Sequence, residues 1–531
     1  MIRHVIGVAA AAALLAGCSG EPGPDSPVGE AAPGTLRVLA GSELADLQPV
    51  LDEAARATGV TVEFRFTGTI EGADQVASGA AEQGFDAVWF SSNRYLELVP
   101  DAQKRLGTAT KVMSSPVVLG LPARKVRELG WDGRRAGWAE IAQAAGAGKF
   151  TYGMTDPSAS NSGFSALVGV AAALSGDGAA LDAGRIAAVA PQLTRFFSAQ
   201  KLSAGSSGWL GEAYRQPGSG VDGLINYESV LLSLNASLPE PLTIVHPADG
   251  VVTADYPLTL LTSANTDARE AHRKLSDHLR NADVQRKIMD TTHRRPAVAG
   301  VRLGDEFAVK DLVELPFPGS QSAVDGLITA YFDRLRRPSR TLYVLDTSGS
   351  MRGDRIDGLK QALSGLTGAD ASLAGKFSRF HGREQVTLLP FSSTARAPQL
   401  YEVPQDDPQP VLDQIRGTAT SLDASGGTAI YSSLRGGYDV LRRQVDADPD
   451  RFTSIVLMTD GENTGSEDAG DFQRFHGTLP PDLRGVPIFP VLFGESAAAE
   501  MDQLAKMSGG KVFDARGRSL SAAFKEIRGY Q

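Results

Sequence analysis

The segment TLYVLDTSGSMRG, residues 341–353, joins an apolar strand to a loop of small polar residues. The strand ends at Asp346, and Ser348 and Ser350 follow at alternate positions among glycines. Three further apolar runs come later in the chain, namely QVTLLPF (385–391), TSIVLMTD (453–460) and VPIFPVLFG (486–494). Apolar strands that alternate with helices are typical of a mostly parallel sheet covered by helices on both faces. Residues 338–531 are therefore predicted to form one α/β domain.

Two other loops of this region carry oxygen-bearing side chains near predicted strand ends. GGT at 426–428 supplies Thr428, and TDG at 459–461 supplies Asp460. Two aspartates that point into one crevice would repel each other without a cation, and a ligand set made only of oxygens suits Mg²⁺. The predicted metal ligands are Asp346, Ser348, Ser350, Thr428 and Asp460.

This pattern resembles the von Willebrand factor A domain, whose fold is Rossmann-like, and its metal-ion-dependent adhesion site. The resemblance implies that Mg²⁺ (or Mn²⁺) is bound by Ser348, Ser350 and Thr428 directly or nearly so. It implies that Asp346 and Asp460 act directly or through water. It also implies an open ligand position, which an acidic residue of a protein partner fills.

The preceding region, residues 35–315, alternates strand and helix patterns, which predicts a second α/β unit. Small polar loops follow its strands at GSE (41–43), TGT (67–69) and SSN (91–93). Two more polar loops come later, at TDPSASNSG (155–163) and NYES (226–229). Two apolar segments, 114–122 and 244–263, are expected to cross between two lobes. The expected lobes are lobe 1, about 35–118 and 252–315, and lobe 2, about 119–251.

A two-lobed clamp with these polar loops resembles the type II periplasmic solute-binding proteins, most closely those that take up oxyanions. By this resemblance, a small solute binds between the lobes, and the candidate contacts are Ser42, Thr67, Ser91, Ser160, Asn161 and Tyr227. Glu228 leaves two alternatives open. It either faces the cleft, where it would repel an anion, or belongs to a surface or hinge ion pair.

The N-terminal residues have the features of a secreted lipoprotein. Val5 to Ala16 is an apolar run too short to span a bilayer, which predicts a signal peptide at 1–17. The sequence LAGC, which ends at Cys18, resembles a bacterial lipobox and implies that a lipid is attached to this cysteine. Residues 18–34, rich in Gly, Pro and acid, are predicted to be a flexible tether. Residues 316–337 are predicted to form a connecting helix between the two folded regions.

The overall composition narrows the function classes. The chain of 531 residues has 52 Lys and Arg against 62 Asp and Glu, a net charge of −10, so a nucleic acid partner is not expected. We find no nucleophile elbow, P-loop or cysteine nucleophile in the folded regions, so no enzymatic activity and no catalytic residue is expected. The expected function is ligand capture and partner binding on the extracytoplasmic face of the cell membrane. The alternative is the substrate-binding component of an ABC importer for an oxyanion-like ligand, with the C-terminal domain recruiting a scaffold.

Overall fold

The computed structural model describes residues 34–176, 178–216, 220–494 and 497–531. The predicted signal peptide, Cys18 and nearly all of the tether lie outside these residues. Among the residues described, no helix is both long enough and apolar enough to cross a membrane.

Residues 34–315 form two sheets with their surrounding helices. The strands are β1 (Thr35–Ala40), β2 (Thr61–Phe66), β3 (Ala87–Trp89), β4 (Leu106–Lys111), β5 (Met113–Pro122), β6 (Tyr152–Thr155), β7 (Gln200–Ala204), β8 (Gly223–Tyr227), β9 (Leu242–Val245), β10 (Thr253–Ala254), β11 (Pro257–Leu261) and β12 (Arg295–Pro296). The helices are α1 (Gln48–Thr58), α2 (Thr69–Ser78), α3 (Ala81–Gly84), α4 (Arg94–Leu98), α5 (Pro100–Gln103), α6 (Ala123–Glu128), α7 (Trp138–Gly146), α8 (Asn161–Ser175), α9 (Ala183–Ser198), α10 (Ser207–Arg215), α11 (Glu228–Asn235), α12 (Thr266–Leu279) and α13 (Ala282–Thr292).

The two sheets correspond to two lobes. The first has the order β2-β1-β3-β11-β4, with β1 parallel to β2 and β3, and with β11 antiparallel to its neighbours. The second has the order β10-β5-β8-β6-β7, and β9 and β12 also pair with β5. The chain crosses between the sheets after β4 and returns between β10 and β11. Loops that follow β1, β2 and β3 therefore meet the start of α8 and the end of β8 across a cleft.

The division between the lobes differs from the predicted one. β5 pairs with β8, β9, β10 and β12 of the second sheet, so lobe 2 begins at Met113 rather than near residue 118. The physical reason is that β5 is buried along nearly its whole length, which suits the middle of a sheet rather than an exposed crossing. Residues 295–315, predicted for lobe 1, also pack on lobe 2, where the Leu315 N–H donates to the Val251 carbonyl at 2.8 Å.

A helix joins the two folded regions. It is α14 (Gln321–Ala330), which continues as a single π turn over Tyr331–Leu335. The Ser320 side chain accepts a hydrogen bond from the Ala323 N–H at the start of α14, a standard N-cap. The apolar face of α14 is fully buried, so the link is packed against the protein and is not an extended tether.

Residues 338–531 form the third sheet. Its strands are β13 (Ser339–Asp346), β14 (Gln385–Phe391), β15 (Gln399–Glu402), β16 (Phe452–Thr459), β17 (Ile488–Leu492) and β18 (Phe513–Asp514). Its helices are α15 (Asp354–Ser364), α16 (Leu373–Ser378), α17 (Gln409–Thr420), α18 (Ile430–Ala447), α19 (Ala469–Gly477), α20 (Pro481–Arg484), α21 (Ala498–Ser508) and α22 (Leu520–Arg528). The order is β15-β14-β13-β16-β17-β18, and the ladders are parallel except that between β14 and β15.

The core of this sheet explains its continuous apolar strands. Leu342 and Val344 of β13 pack into the cluster on one face, whereas Tyr343 and Leu345 pack into the cluster on the other. A strand that is buried on both faces needs an apolar residue at every position, not at alternate positions. The predicted fold class, a two-lobed clamp followed by a mostly parallel sheet with helices on both faces, is confirmed.

Candidate functional site

The five predicted metal ligands lie at one edge of the third sheet. Asp346 is the last residue of β13, and Asp460 follows β16 directly. Because β13 and β16 are parallel neighbours, their carboxyl ends meet at the same edge. Both aspartates are almost fully buried, at 0% and 1% exposure, whereas Ser350 is exposed at the mouth of the loop.

Hydrogen bonds join the three loops that carry these ligands. The Ser348 and Ser350 hydroxyls share a hydrogen bond of 2.9 Å, and Ser350 donates to Asp460 Oδ1 at 2.8 Å. The Gly349 N–H donates to the Gly426 carbonyl at 2.9 Å, which holds the loop of Thr428 against the first loop. Asp346, Ser348, Ser350 and Asp460 are therefore linked by contacts between loops that are distant in sequence. Thr428 lies between α17 and α18 and not at the end of a strand as expected, and its loop is joined to the first loop through the backbone.

The two aspartates are held differently. Asp346 accepts hydrogen bonds from the Ser348 N–H at 2.8 Å and from the Thr459 hydroxyl at 2.7 Å. Burial raises the pKa of Asp346, although these hydrogen bonds oppose the shift. Asp460 forms an ion pair with Arg355 of α15, with an Nη1–Oδ2 distance of 2.6 Å. Arg355 and Thr459 were not among the predicted site residues, and no motif in the sequence pointed to the ion pair.

The donor set fits a hard cation. It consists of two carboxylates and three hydroxyls, which are the oxygen ligands that Mg²⁺ and Mn²⁺ accept. Within the described ranges, no group of three or more His, Cys, Asp or Glu side chains is placed to hold a metal ion. A cation at this edge would therefore depend on hydroxyl ligands, and Arg355 would compete with it for Asp460.

The predicted solute contacts also come together, between the two lobes. They surround a cavity of about 310 Å³, which is lined by Ser42, Thr67, Ser91, Ser160 and Asn161. Ser42, Thr67 and Ser91 follow β1, β2 and β3 of lobe 1. Ser160 and Asn161 come from the start of α8 in lobe 2. A cavity of this size is within the range of small-molecule sites.

Tyr227, the sixth predicted contact, does not line the cavity, but it forms hydrogen bonds with two residues that do. Asn161 Nδ2 donates to Ser91 Oγ at 2.8 Å and to the Tyr227 hydroxyl at 3.0 Å. The Tyr227 hydroxyl in turn donates to Ser91 Oγ at 2.9 Å. The two hydrogen bonds to Ser91 cross from lobe 2 to lobe 1, so this part of the cleft is closed by direct contact. A solute that reached Asn161 would have to replace these hydrogen bonds.

Glu228 belongs to an ion pair and is not part of the cavity lining, which favours the second alternative, although the pair is buried and does not lie at the surface. Its carboxylate lies 2.7 Å from Arg295 Nε and 2.6 Å from His246 Nε2, and all three side chains are nearly inaccessible. Burial alone would raise the pKa of Glu228, but the bonds to His246 and Arg295 outweigh it and lower the pKa. The carboxylate is therefore compensated and does not oppose an anion in the cavity.

The C-terminal domain also contributes to the cavity lining, which no sequence pattern indicated. The side chains of this domain that border the same space include Phe377 of α16, Lys511, Arg518 in the loop before α22, and Lys525 of α22. The cleft is therefore bounded by both lobes and by the C-terminal domain.

Comparisons with known proteins agree with this division. Residues 36–291 match the family model of the bacterial extracellular solute-binding protein, and residues 341–462 match that of the von Willebrand factor type A domain. Calcium-activated chloride channel regulator 1 of Equus caballus is 35% identical over 181 residues, which cover 32% of this chain and 16% of that protein. Inter-alpha-trypsin inhibitor heavy chain H4 of Sus scrofa is 29% identical over 133 residues, covering 24% of this chain and 13% of that protein. The matches thus span about a sixth of these relatives or less.

Solved structures similar to this chain include one for each domain. The periplasmic binding protein AfuA from Actinobacillus pleuropneumoniae is 11% identical, with a TM-score of 0.44, and covers 57% of this chain and 99% of its own. A von Willebrand factor type A protein from Catenulispora acidiphila is 20% identical, with a TM-score of 0.30, and covers 36% of this chain and 42% of its own. The family match of the first domain supports an extracytoplasmic location and ligand binding. The chain therefore combines an N-terminal domain of the bacterial extracellular solute-binding family with a C-terminal von Willebrand factor type A domain.

Proposed function

We propose that this protein is a lipid-anchored binding protein on the extracytoplasmic face of the cell membrane. Its N-terminal domain captures a small solute, and its C-terminal domain binds a protein partner through Mg²⁺ or Mn²⁺. The observation that carries the proposal is the convergence of Asp346, Ser348, Ser350 and Asp460 at one sheet edge, beside the loop of Thr428.

The position of this edge supports partner binding. The N-terminal domain contacts the C-terminal domain near the opposite ends of the strands, where Arg336 precedes β13 and Glu384 precedes β14. The metal loops therefore lie away from that contact, and the exposed Ser350 is accessible to another protein. A cation bound by hydroxyls and two carboxylates keeps affinity for one more oxygen ligand, which an acidic side chain of the partner supplies.

The anchoring part of the proposal depends on the sequence. Cys18 follows an apolar run that is typical of a signal peptide, and it is the only cysteine of the chain. A lipid on this cysteine would hold the protein at the membrane, with residues 19–34 as a spacer. Both families consist mainly of binding proteins, and we propose no catalytic step.

The second candidate function is a receptor for an ABC importer with an oxyanion-like solute. The cavity between two lobes, with hydroxyl groups on both sides, favours it. An importer receptor must release its solute, so the lobes would have to separate. The contacts of the C-terminal domain with both lobes would restrict this movement, which is why we prefer capture without transport.

The test is a calorimetric titration of Mg²⁺ into the metal-free protein. We expect one binding site, and we expect Thr428→Ala and Asp460→Asn to weaken it by about tenfold or more, the effect of losing a ligand worth about 1.4 kcal/mol. Ser421→Ala, an exposed hydroxyl after α17, is the matched control and should bind like wild type. Wild type that takes up no Mg²⁺ at millimolar concentration, or ligand variants with unchanged affinity, would contradict the proposal.

A further inference from the structure

The solute cavity has a third wall, which the C-terminal domain supplies. Residues of α16 and α22, together with Lys511 and Tyr530, border the space between the lobes. Phe377 of α16 packs into the same apolar cluster as the core of the N-terminal domain. The cavity is therefore not simply a cleft open to solvent on the side of the C-terminal domain.

The C-terminal domain contacts both lobes beside this cavity. The Leu373 N–H at the start of α16 donates to Asp74 Oδ1 of lobe 1 at 2.9 Å. The Tyr530 ring lies 5.0 Å from the ring of Trp209 in lobe 2, edge to face. Because one domain holds both sides of the clamp, the lobes cannot separate without breaking one of these contacts.

The contact with lobe 2 is close at two glycines. A Cβ atom added to Gly529 would lie 2.6 Å from Cβ of Ala159, in the polar loop that carries Ser160. A Cβ atom added to Gly205 would lie 2.4 Å from the Tyr530 ring. Real Cβ contacts are not this short, so these two glycines allow the end of the C-terminal domain to pack against lobe 2 beside the loop of Ser160.

The third wall also carries excess positive charge at one point. Arg518 and Lys511 share a single carboxylate, Glu526, at 2.7 and 3.3 Å. Of two other cations of the lining, Lys525 pairs with Asp370 at 2.6 Å, and Arg528 shares Glu384 with Arg336. The cluster of Arg518, Lys511 and Glu526 therefore carries one uncompensated positive charge.

Two further acids and the starts of two helices also border the cavity. Burial raises the pKa of Glu71, despite the nearby Lys525, so this lining carboxyl is less readily charged. Glu43, the remaining acid of the lining, comes from the loop after β1. On the lobe side, α2 and α8 both begin at the cavity, and neither has a side-chain cap on its first N–H groups.

We propose that the solute is a small anion with a carboxylate or phosphate group, and that Arg518 and Lys511 of the C-terminal domain form part of its binding site. This inference rests on the proposed solute capture, and it places residues of both the N-terminal lobes and the C-terminal domain in one binding site. The anion lies between hydroxyls of the lobes and cations of the C-terminal domain. Exchange of the solute then requires the C-terminal domain to release one lobe.

The experiment measures binding of inorganic phosphate, citrate and, as a neutral probe, glucose to the full chain by calorimetry and thermal shift. The buffer contains no divalent cations, so that citrate and phosphate do not act by chelation. We expect phosphate or citrate, but not glucose, to bind. Asn161→Ala on the lobe side and Arg518→Gln on the C-terminal side should each weaken this binding by roughly tenfold, the effect of losing one strong hydrogen bond.

Two further variants make the outcome decisive. Lys511→Gln is a second test of the C-terminal wall in case Arg518→Gln folds poorly. Lys506→Gln removes the same charge from an exposed side chain of α21 and should bind like wild type. If Asn161→Ala weakens anion binding but Arg518→Gln and Lys511→Gln do not, solute capture stands and the shared site is refuted. If glucose binds and neither anion does, capture stands and the anionic solute is refuted. If no probe binds, the inference is refuted.

Discussion

A buried ionic cluster at the contact between the domains offers a quantitative test of the fold. Glu384, just before β14, pairs with Arg528 at 2.7 Å and with Arg336 at 3.1 Å, and all three side chains are at most 6% exposed. Arg336 Nη1 also lies 4.0 Å from Asp156 of lobe 2. Glu384→Gln removes the charge that both guanidinium groups face. Breaking a buried ion pair by removing one partner costs about 3–5 kcal/mol, because the remaining charges stay buried without compensation.

The assay is denaturant unfolding of the full chain, followed through the transition of the C-terminal domain. Glu402→Gln is the matched control, since Glu402 is 66% exposed and lies 3.3 Å from Arg451. We expect this control to change the free energy of unfolding by no more than about 0.5 kcal/mol. A Glu384→Gln variant within the same range of wild type would refute the reasoning.

The pH dependence provides a second readout of the same cluster. Burial alone would raise the pKa of Glu384, but Arg528 and Arg336 outweigh it, so its pKa in the folded protein lies below the ordinary value of 4.5. The unfolded state therefore takes up a proton first as the pH falls. The stabilisation by Glu384 is complete above pH 4.5 and is lost as the pH falls through the folded pKa. The difference between wild type and Glu384→Gln should shrink in acid, and a difference that grows there would contradict this assignment.

Other substitutions test the metal loops, the domain contact and the anchor. Arg355→Gln should strengthen Mg²⁺ binding about fivefold in a calorimetric titration, because the ion pair with Asp460 is worth about 1 kcal/mol and competes with the cation. Lys360→Gln on the same helix should leave Mg²⁺ binding unchanged, and weaker binding in Arg355→Gln would contradict the competition between Arg355 and the cation. Gly205→Ala should lower the free energy of unfolding by about 1–3 kcal/mol, because the added methyl group would overpack against Tyr530. Gly208→Ala is the control, since no atom lies near its added Cβ, and equal stability of the two variants would disprove the close contact. Cys18→Ser should leave the membrane fraction or remain unprocessed in cell fractionation, and a processed variant that stays on salt-washed membranes would rule out lipid attachment.

The third sheet and the strand ends that carry Asp346 and Asp460 could be predicted from the sequence because their signals are local. β13 is apolar at each position from Leu342 to Leu345, and such a run fits a strand that is buried on both faces. Asp346 and Asp460 each stand where a strand ends, and parallel strands bring their carboxyl ends to one edge. The proximity of Asp346 and Asp460 follows from these two facts, whereas the position of Thr428, between α17 and α18, does not.

The features that the sequence could not predict depend on contacts between distant segments. Glu228 is adjacent to a predicted solute contact, yet its partners His246 and Arg295 lie 18 and 67 residues away. The start of lobe 2 depends on the strands with which β5 pairs, and the apolar run of β5 does not show that they belong to the second sheet. The sequence around Phe377 is typical of a core residue of the C-terminal domain, and only the structure shows that Phe377 packs against the N-terminal domain.

The most direct test of the central claim is the position of Mn²⁺ in crystals of the protein grown or soaked with the ion. Mn²⁺ substitutes for Mg²⁺ at oxygen sites, and its anomalous scattering locates it without assumptions about the ligands. We expect one anomalous peak among the hydroxyls of Ser348, Ser350 and Thr428, at about 2.0–2.3 Å from its oxygen ligands. We also expect that Arg355 no longer pairs with Asp460 in that crystal. Crystals in millimolar Mn²⁺ with no peak at these loops, and with the Arg355–Asp460 ion pair intact, would contradict the account.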